Sequence, residues 1–512
     1  MSSILTNNSA MVALQTLKSI NNDLSKAQSM ISTGKEIGSA KDNSAVWAIS
    51  KVMESDVKGF KAIADSLSLG ESTVAVARNG AESVTDLLTQ MKEKIVAAQG
   101  ENVDRSKLQD DVNALSGQIT SIVNAAQFNG LNLLRGTENV NVLSSLDRAP
   151  SGEVTSSNIS IARKDLSADA GVYGTGADLS ANVTTTLGGN LAADGTGDAF
   201  SNGANKLAAT VAGTITVGET YNFQIAGTTV SFTTTTTNAA DLATGLTSAI
   251  NAAGIEGISA SVAAAVITID SVSKFDDVVV NTSGTGAATF ALQANGVTAA
   301  AATTNTQTIS ARASELAFST TAAVNEGDGY RATIGGVNYD YIAGPGETFE
   351  DVARGLKTVI DGAALPNIET RVTQDATTGA WILQIDNDGA AQTLTDSGAA
   401  GGEATGGLVG LDTFDVTTNE GAAAALANIE TMINTSIDAA ASFGSSQGRI
   451  ETQSDFVSKL SDSLKSGIGT LVDADMEETS ARLQALQVQQ QLGIQSLSIA
   501  NQAPQTLLSL FR

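Results

Sequence analysis

The sequence predicts a multidomain α+β protein: a long antiparallel helical coiled-coil rod built from both chain ends, with β-rich outer domains inserted in the middle. Three observations predict it. Near both ends, apolar residues recur at alternating steps of three and four. Between the ends that rhythm vanishes and runs such as "TYNFQIAGTTVSFTTTTT" alternate like strands. The middle also repeats itself at an offset of about 110 residues.

The first helix follows from Ala10, Ala13, Leu17, Ile20, Leu24, Ala27 and Ile31, which share one face of a helix. Gly34, Gly38 and the polar stretch from Ala40 to Ser44 separate it from a helix beginning near Asn43. A second seam runs through Val74, Ala77, Ala81, Val84, Leu88, Met91, Ile95 and Ala98. The stretch "QGENVD" parts it from a third, with Leu108, Val112, Leu115, Ile119, Ile122 and Ala126. Asn129-Gly130 is expected to end that helix, because both residues accept the left-handed backbone.

The same pattern returns at the far end. Leu426, Ile429, Ile433, Ile437 and Ala440 form one stripe, and Val457, Leu460, Leu464, Ile468 and Leu471 another. Met476, Leu483 and Leu486 run on into Val488, Leu492 and Ile499, before Pro504 is expected to interrupt. A narrow seam cannot bury itself. The expected solution pairs Leu17, Ile20, Leu24 and Ile31 with Leu483, Leu486, Leu492 and Ile499.

In the middle, Asp241-Leu-Ala-x-Gly245-Leu246-x-x-x-Ile250 matches Asp351-Val-Ala-x-Gly355-Leu356-x-x-x-Ile360. Each copy reads as hairpin, short helix, hairpin. The expected organisation is therefore 1–42 with 465–512 as terminal helices and 43–176 with 416–464 as a helical domain carrying a short β segment. Residues 177–310 and 311–415 then form two tandem β-rich modules.

Composition narrows the function. The 512 residues contain no Cys and no His, so thiol chemistry, the usual zinc ligands and a His general base are all absent. No cofactor is expected. A net charge of −26 argues against a nucleic-acid partner, whose phosphates need a basic patch. Residues 177–415 hold 25 Asp/Glu against 7 Lys/Arg, a solvated and self-repelling composition. Acid pairs such as Asp276-Asp277, Glu350-Asp351 and Asp386-Asn-Asp388 lack the spacing of a calcium loop, so solvated loops are the expectation there. No apolar run reaches the ~18 residues of a membrane span. The first residues lack the basic start and apolar core of a cleavable secretory signal, so export is expected to leave the N-terminus intact.

Specific stretches carry a resemblance. "INNDLSKAQSMISTGKEIGSAKDNSAVWAIS" and "AAQFNGLNLL" stand near the start, and "SARLQALQVQQQLGIQSLSIANQAPQTLLSLFR" closes the chain. They resemble bacterial flagellin, over roughly the first 170 and last 95 residues. The resemblance implies a structural subunit that polymerises with itself into the extracellular flagellar filament. It also implies export by the flagellar type III route, a chaperone on the C-terminal helix, and hook-associated junction and cap proteins as partners. A hook–filament junction protein and a secreted β-rich adhesin stay open as alternatives.

Residues follow from the same resemblance. Leu5, Leu17, Ile20, Leu24, Ile31, Leu483, Leu486, Leu492, Leu497, Ile499, Leu507 and Leu508 would form the filament-core interface. Gln127, Phe128, Asn129 and Gly130 would form the helix-ending turn. In flagellins detected by the vertebrate Toll-like receptor for flagellin, the segment matching "LTQMKEKIVAAQG" carries an Arg and, four residues on, a Leu. A Glu on the next helix completes the contact. Gln90, Lys94 and Ala114 stand at those positions here, with Met91 beside them on the surface also used for axial packing. These departures imply evasion of the receptor.

Overall fold

The structure, a computed structural model, describes residues 7–148 and 153–510, with the side chains of all but 503–510. Seven helices are present among them: α1 (Asn8–Thr33), α2 (Ser44–Ala98), α3 (Arg105–Ala125), α4 (Ala239–Ala252), α5 (Phe349–Gly362), α6 (Asn419–Val472) and α7 (Met476–Leu510). The second N-terminal seam belongs to the single long α2, and the two expected C-terminal stripes share α6. Pro504 does not interrupt α7. The chain divides into two compact units, one of residues 1–72, 141–161 and 446–512, the other of 73–140 and 162–445.

In the first unit, polar caps set the helix ends. Asn7 Oδ1 accepts from the Ala10 amide, and Asn43 Oδ1 accepts from Ala45 and Val46. Gly34 closes α1 in the left-handed conformation, its amide donating to Met30 O. The breaks α1–α2 and α6–α7 lie side by side: the Glu36 amide donates to Val472 O at 2.7 Å and the Ala474 amide to Gly34 O at 3.0 Å. A hairpin of Val140–Arg148 and Val154–Ile161 lies on α2 where the helix has glycines. A methyl at Gly70 would sit 2.7 Å from both γ carbons of Val142.

In the second unit, α2 and α6 run antiparallel. Ser436 Oγ donates to Ala81 O at 3.1 Å and receives Thr85 Oγ1 at 2.9 Å, while Lys92 pairs with Glu430 further along. The buried face of α6 passes through Ala422, Ala425, Ile429, Met432, Ser436, Ala439 and Phe443 in strict three-four steps. Ile437, expected on the stripe, is exposed; the small, hydrogen-bonded Ser436 takes the contact instead.

The first β-rich module, residues 205–309, has two antiparallel sheets. One orders Val297–Thr298, Ala288–Ala294, Asn205–Gly213, Val266–Ser271 and Ile258–Ala263; the other Asn305–Ile309, Val278–Gly284, Thr220–Ile225 and Thr228–Thr233. Phe223 and Phe290 meet edge to face at 5.1 Å in its core. The second module pairs Ile368–Gln374, Trp381–Asn387, Ser314–Phe318 and Val183–Thr186, with Val337–Ile342, Gly329–Ile334 and Leu394–Ala399 as its other sheet. Of the stretch 177–204, expected in the first module, Val183–Thr186 pairs with Ser314–Phe318 and Phe200 enters the second core, while Leu191 and Ala193 carbonyls accept from Lys206 and Gly296 of the first. The first module is an insertion between two neighbouring strands of the second.

Both copies of the repeat keep the order hairpin, helix, strand pair, and they share one packing device. A side chain at Gly245 of α4 would overlap the Phe232 ring, and one at Gly355 of α5 would overlap the Tyr341 ring. Each glycine lets an aromatic of the preceding hairpin lie flat on the helix. The junction of the modules is a buried polar hub. Asn205 Nδ2 donates to Gly188, Ser310 and Ala311 carbonyls, and its Oδ1 accepts from Leu191. Arg312 grips Asp386 through two bonds of 2.8 and 2.6 Å, with Asp388 at 3.0 Å.

Two stability outcomes follow. Gly70→Ala is expected to destabilise by about 1–3 kcal/mol, because overpacking against Val142 outweighs the ~1 kcal/mol of helix propensity gained. Gly117→Ala, at an exposed position of α3 with nothing within 4 Å, is expected to stabilise by roughly 0.5–1 kcal/mol. Denaturant unfolding followed by helical circular dichroism measures both; equal signs would contradict the packing described.

A third concerns Glu347, half-buried just before α5. Burial pushes its carboxyl above the usual carboxylate range, opposed by the Gly344 amide and the Tyr341 hydroxyl, at 3.0 Å each. The folded state therefore holds a proton that the unfolded chain releases, and stability attached to this group is lost as pH rises through its folded pKa. Glu347→Gln is expected to be more stable than the parent at neutral pH. The gap should close as pH falls toward the unfolded value of about 4.3. Paired unfolding curves across that range decide it.

Candidate assembly interface

The helices α1 and α7 run antiparallel, as expected from their seams. Asn7 Nδ2 donates to Ala500 O at 2.8 Å, and Gln490 Nε2 donates to Asn21 Oδ1 at 2.7 Å. The inward residues of α1 are those of the sequence pattern, with Ala27 buried and Leu17, Ile20, Leu24 and Ile31 half-buried. On α7 the inward residues are Thr479, Leu483, Leu486, Gln490, Gly493, Leu497 and Ala500. Leu17 Cδ1 approaches Gly493 so closely that a methyl there would lie 3.1 Å away.

Leu492 and Ile499 do not join this seam. They are 55% and 69% exposed, whereas Leu486 is 7% exposed. Steps of three and four from Leu483 and Leu486 land on 490, 493, 497 and 500, so heptad phase overrides the apolar identity of Leu492 and Ile499. Together with Val488 they leave an apolar face of α7 in water, Ile494 is exposed on another side of the helix, and Met11, Val12 and Leu14 are exposed on α1. Leu5 lies outside the described residues, as do the side chains of Leu507 and Leu508.

Beside the paired helix breaks is an open cleft of about 320 Å³, lined by Lys35, Glu54, Val57, Lys58, Lys465 and Ile468 among others. Glu54 meets Lys51 at 2.7 Å and Lys35 at 3.2 Å, and these hydrogen bonds hold its carboxyl below the usual range. The charge is unevenly divided. The first unit contains 13 Lys/Arg and 16 Asp/Glu, the second 15 and 38.

In the second unit, Gln90 and Ala114 are exposed on α2 and α3, and Lys94 is half-exposed with Nζ 2.7 Å from Asp111 Oδ2. Met91 is not on this surface: it is wholly buried, because the α2 seam through Val84, Leu88 and Ile95 includes it. The turn also differs from expectation. Ala126 closes α3, its amide donating to Ile122 O, and Gln127–Phe128 then pairs with Leu131–Asn132. Asn129 (φ 52°) and Gly130 (φ 81°) are the central residues of that two-residue hairpin rather than a helix end.

The acid pairs serve structure. Asp276 meets Arg371 at 2.8 Å, Asp277 accepts from the Ala311 amide, Glu350 pairs with Arg354, and Asp351 caps α5 through Thr348. Sequence reasoning missed Gln490 and Gly493, which heptad phase could have located, and the hub of Asn205 and Arg312, for which no local signal exists.

Residues 4–139 match the bacterial flagellin N-terminal helical region, and 426–511 the C-terminal helical region. Flagellin A of Rhizobium meliloti is 32% identical over 522 residues, and Flagellin B of the same organism 31% identical over 513 residues; each alignment covers all of both chains. Among solved structures, the flagellar hook associated protein-3 of Legionella pneumophila superposes with a TM-score of 0.32 at 10% identity, covering 82% of this chain and 98% of that one. The full-length match to Flagellin A decides the matter: this chain belongs to the bacterial flagellins, structural proteins of the extracellular flagellar filament.

Proposed function

We propose that copies of this chain polymerise through the water-facing apolar sides of α1 and α7. The observation that carries this reading is the leftover hydrophobic face. Two single-seam helices cover each other only in part, and Met11, Val12, Leu14, Val488, Leu492, Ile494 and Ile499 stay exposed. In a filament each neighbour supplies the missing partner. Inside the cell the same face needs a mask, which supports an export chaperone on the C-terminal helix and passage through the type III route. Hook-associated junction and cap proteins would meet the two ends of such a polymer. Identity along the whole of Flagellin A favours the filament subunit over a junction protein or an adhesin.

Leu492→Asp and Ile499→Asp are expected to raise the concentration needed for seeded polymerisation at least about tenfold each, since each removes ~1.5–3 kcal/mol of apolar burial. The monomer's helical signal should stay unchanged, because neither residue touches the internal seam. Leu24→Asp, on the seam, should lower that signal as well. Sedimentation and electron microscopy read the result. Normal filaments from the Leu492→Asp, Ile499→Asp double variant would overturn the proposal.

The second part of the reading is that this flagellin evades the vertebrate Toll-like receptor for flagellin. Gln90 cannot make the forked ion pair of an Arg. Lys94, held by Asp111, resists burial in an apolar pocket. Ala114 offers no carboxylate. Each lost anchor of this kind costs about 2 kcal/mol, roughly thirtyfold in affinity. Reporter cells bearing the receptor should respond weakly to the parent and regain response to a Gln90→Arg, Lys94→Leu, Ala114→Glu variant. A parent response at the potency of a detected flagellin would sink the idea.

A further inference from the structure

We infer that Asn129 is a site of spontaneous modification, in which its carboxamide is converted to a carboxylate through attack by the Gly130 amide nitrogen. The sequence contains four Asn-Gly pairs, and the fold treats them differently. Asn79-Gly80 lies inside α2, where the Gly80 amide is held in the helix and Gly80 is buried. Asn295 donates from Nδ2 to Thr308 O at 3.0 Å, and the Gly296 amide donates to Ala193 O. At Asn202-Gly203, the Gly203 amide donates to Ser201 Oγ at 3.4 Å, and Gly203 packs so closely on Asn190 that a side chain there would overlap it. Asn129-Gly130 alone is exposed on both residues, with no hydrogen-bond partner among the described residues for the Asn129 side chain or the Gly130 amide. Apart from its two chain neighbours, no residue has an atom within 4 Å of where a Gly130 side chain would be.

The step balances without an added oxidant or reductant. The Gly130 amide nitrogen gives its proton to solvent base and attacks Asn129 Cγ. An N–Cγ bond forms, the Cγ–NH₂ bond breaks, and ammonia leaves with a proton from water. Water then opens the cyclic imide at one of its two carbonyls, giving Asp or an isoaspartyl link. Reaching the imide requires the left-handed turn to open. That turn is flanked by only two residue pairs, Gln127 with Asn132 and Phe128 with Leu131, so little structure resists. An isoaspartyl link adds a backbone atom and no longer fits a two-residue hairpin loop.

The test incubates the purified full-length chain in mildly alkaline buffer and follows the tryptic peptide 108–135 by mass spectrometry, with isoaspartyl-specific methylation as a second readout. Peptides holding Asn79 and Asn295 in the same digest are internal controls. Conversion at Asn129 is expected several-fold faster than at either control, and Gly130→Ala should slow it several-fold. In the denatured chain the sites should converge. Conversion at Asn129 no faster than at Asn295, or unaffected by Gly130→Ala, would overturn the inference.

Discussion

A helix with one apolar stripe needs a partner for it, and the rest of this molecule is arranged around that need. The two chain ends hold matching stripes, so α1 meets α7 and α2 meets α6 across most of the sequence length. Everything between the ends must leave and return to the same helical pairings. The modules satisfy this by closing their own cores, with Phe223 and Phe290 in one and Tyr330 and Phe349 in the other. The second module is also tied to α6, where Asn428 accepts from Lys357 and donates to Asp361, both of α5. The stripes, in turn, are not fully satisfied by each other, and a residual apolar face stays in water.

Rigidity of the inserted material comes from a different source. The first module joins the second through two chain crossings, and side chains of both modules cross-link them, Asp276 with Arg371 and Lys274 with Glu369. Asn205 ties both crossings together, and the Arg312–Asp386 pair lies where water cannot compete. Removing one partner of such a pair leaves an uncompensated buried charge, which costs far more than the intact pair contributes.

Legibility followed distance along the chain. The helical ends could be read because the three-four rhythm is local, and α1 keeps its whole expected seam. On α7 the rhythm was read through apolar identity, which favoured Leu492 and Ile499; phase belongs to Gln490, Gly493, Leu497 and Ala500, two of them not apolar. The repeat could be read because helix and hairpin recur together. The assignment of Val183–Thr186 to the second module could not, since its partner strand Ser314–Phe318 lies beyond a whole inserted module. Met91 adjoins a surface motif in sequence, yet its side chain faces the helix seam. Arg312 and Asp386 carry no pattern that announces a pair.

The division of charge has a consequence for the polymer as a colloid. One unit is close to neutral and the other carries nearly all of the chain's excess acid. Copies meeting through the near-neutral unit face little like-charge opposition to growth end on end. Between whole polymers, like charge on the acidic unit repels over a screening length of about 8 Å at physiological salt. On the proposed assembly, cohesion within a fibre would rest on the near-neutral unit and dispersion between fibres on the acidic one, and either could change in evolution without the other.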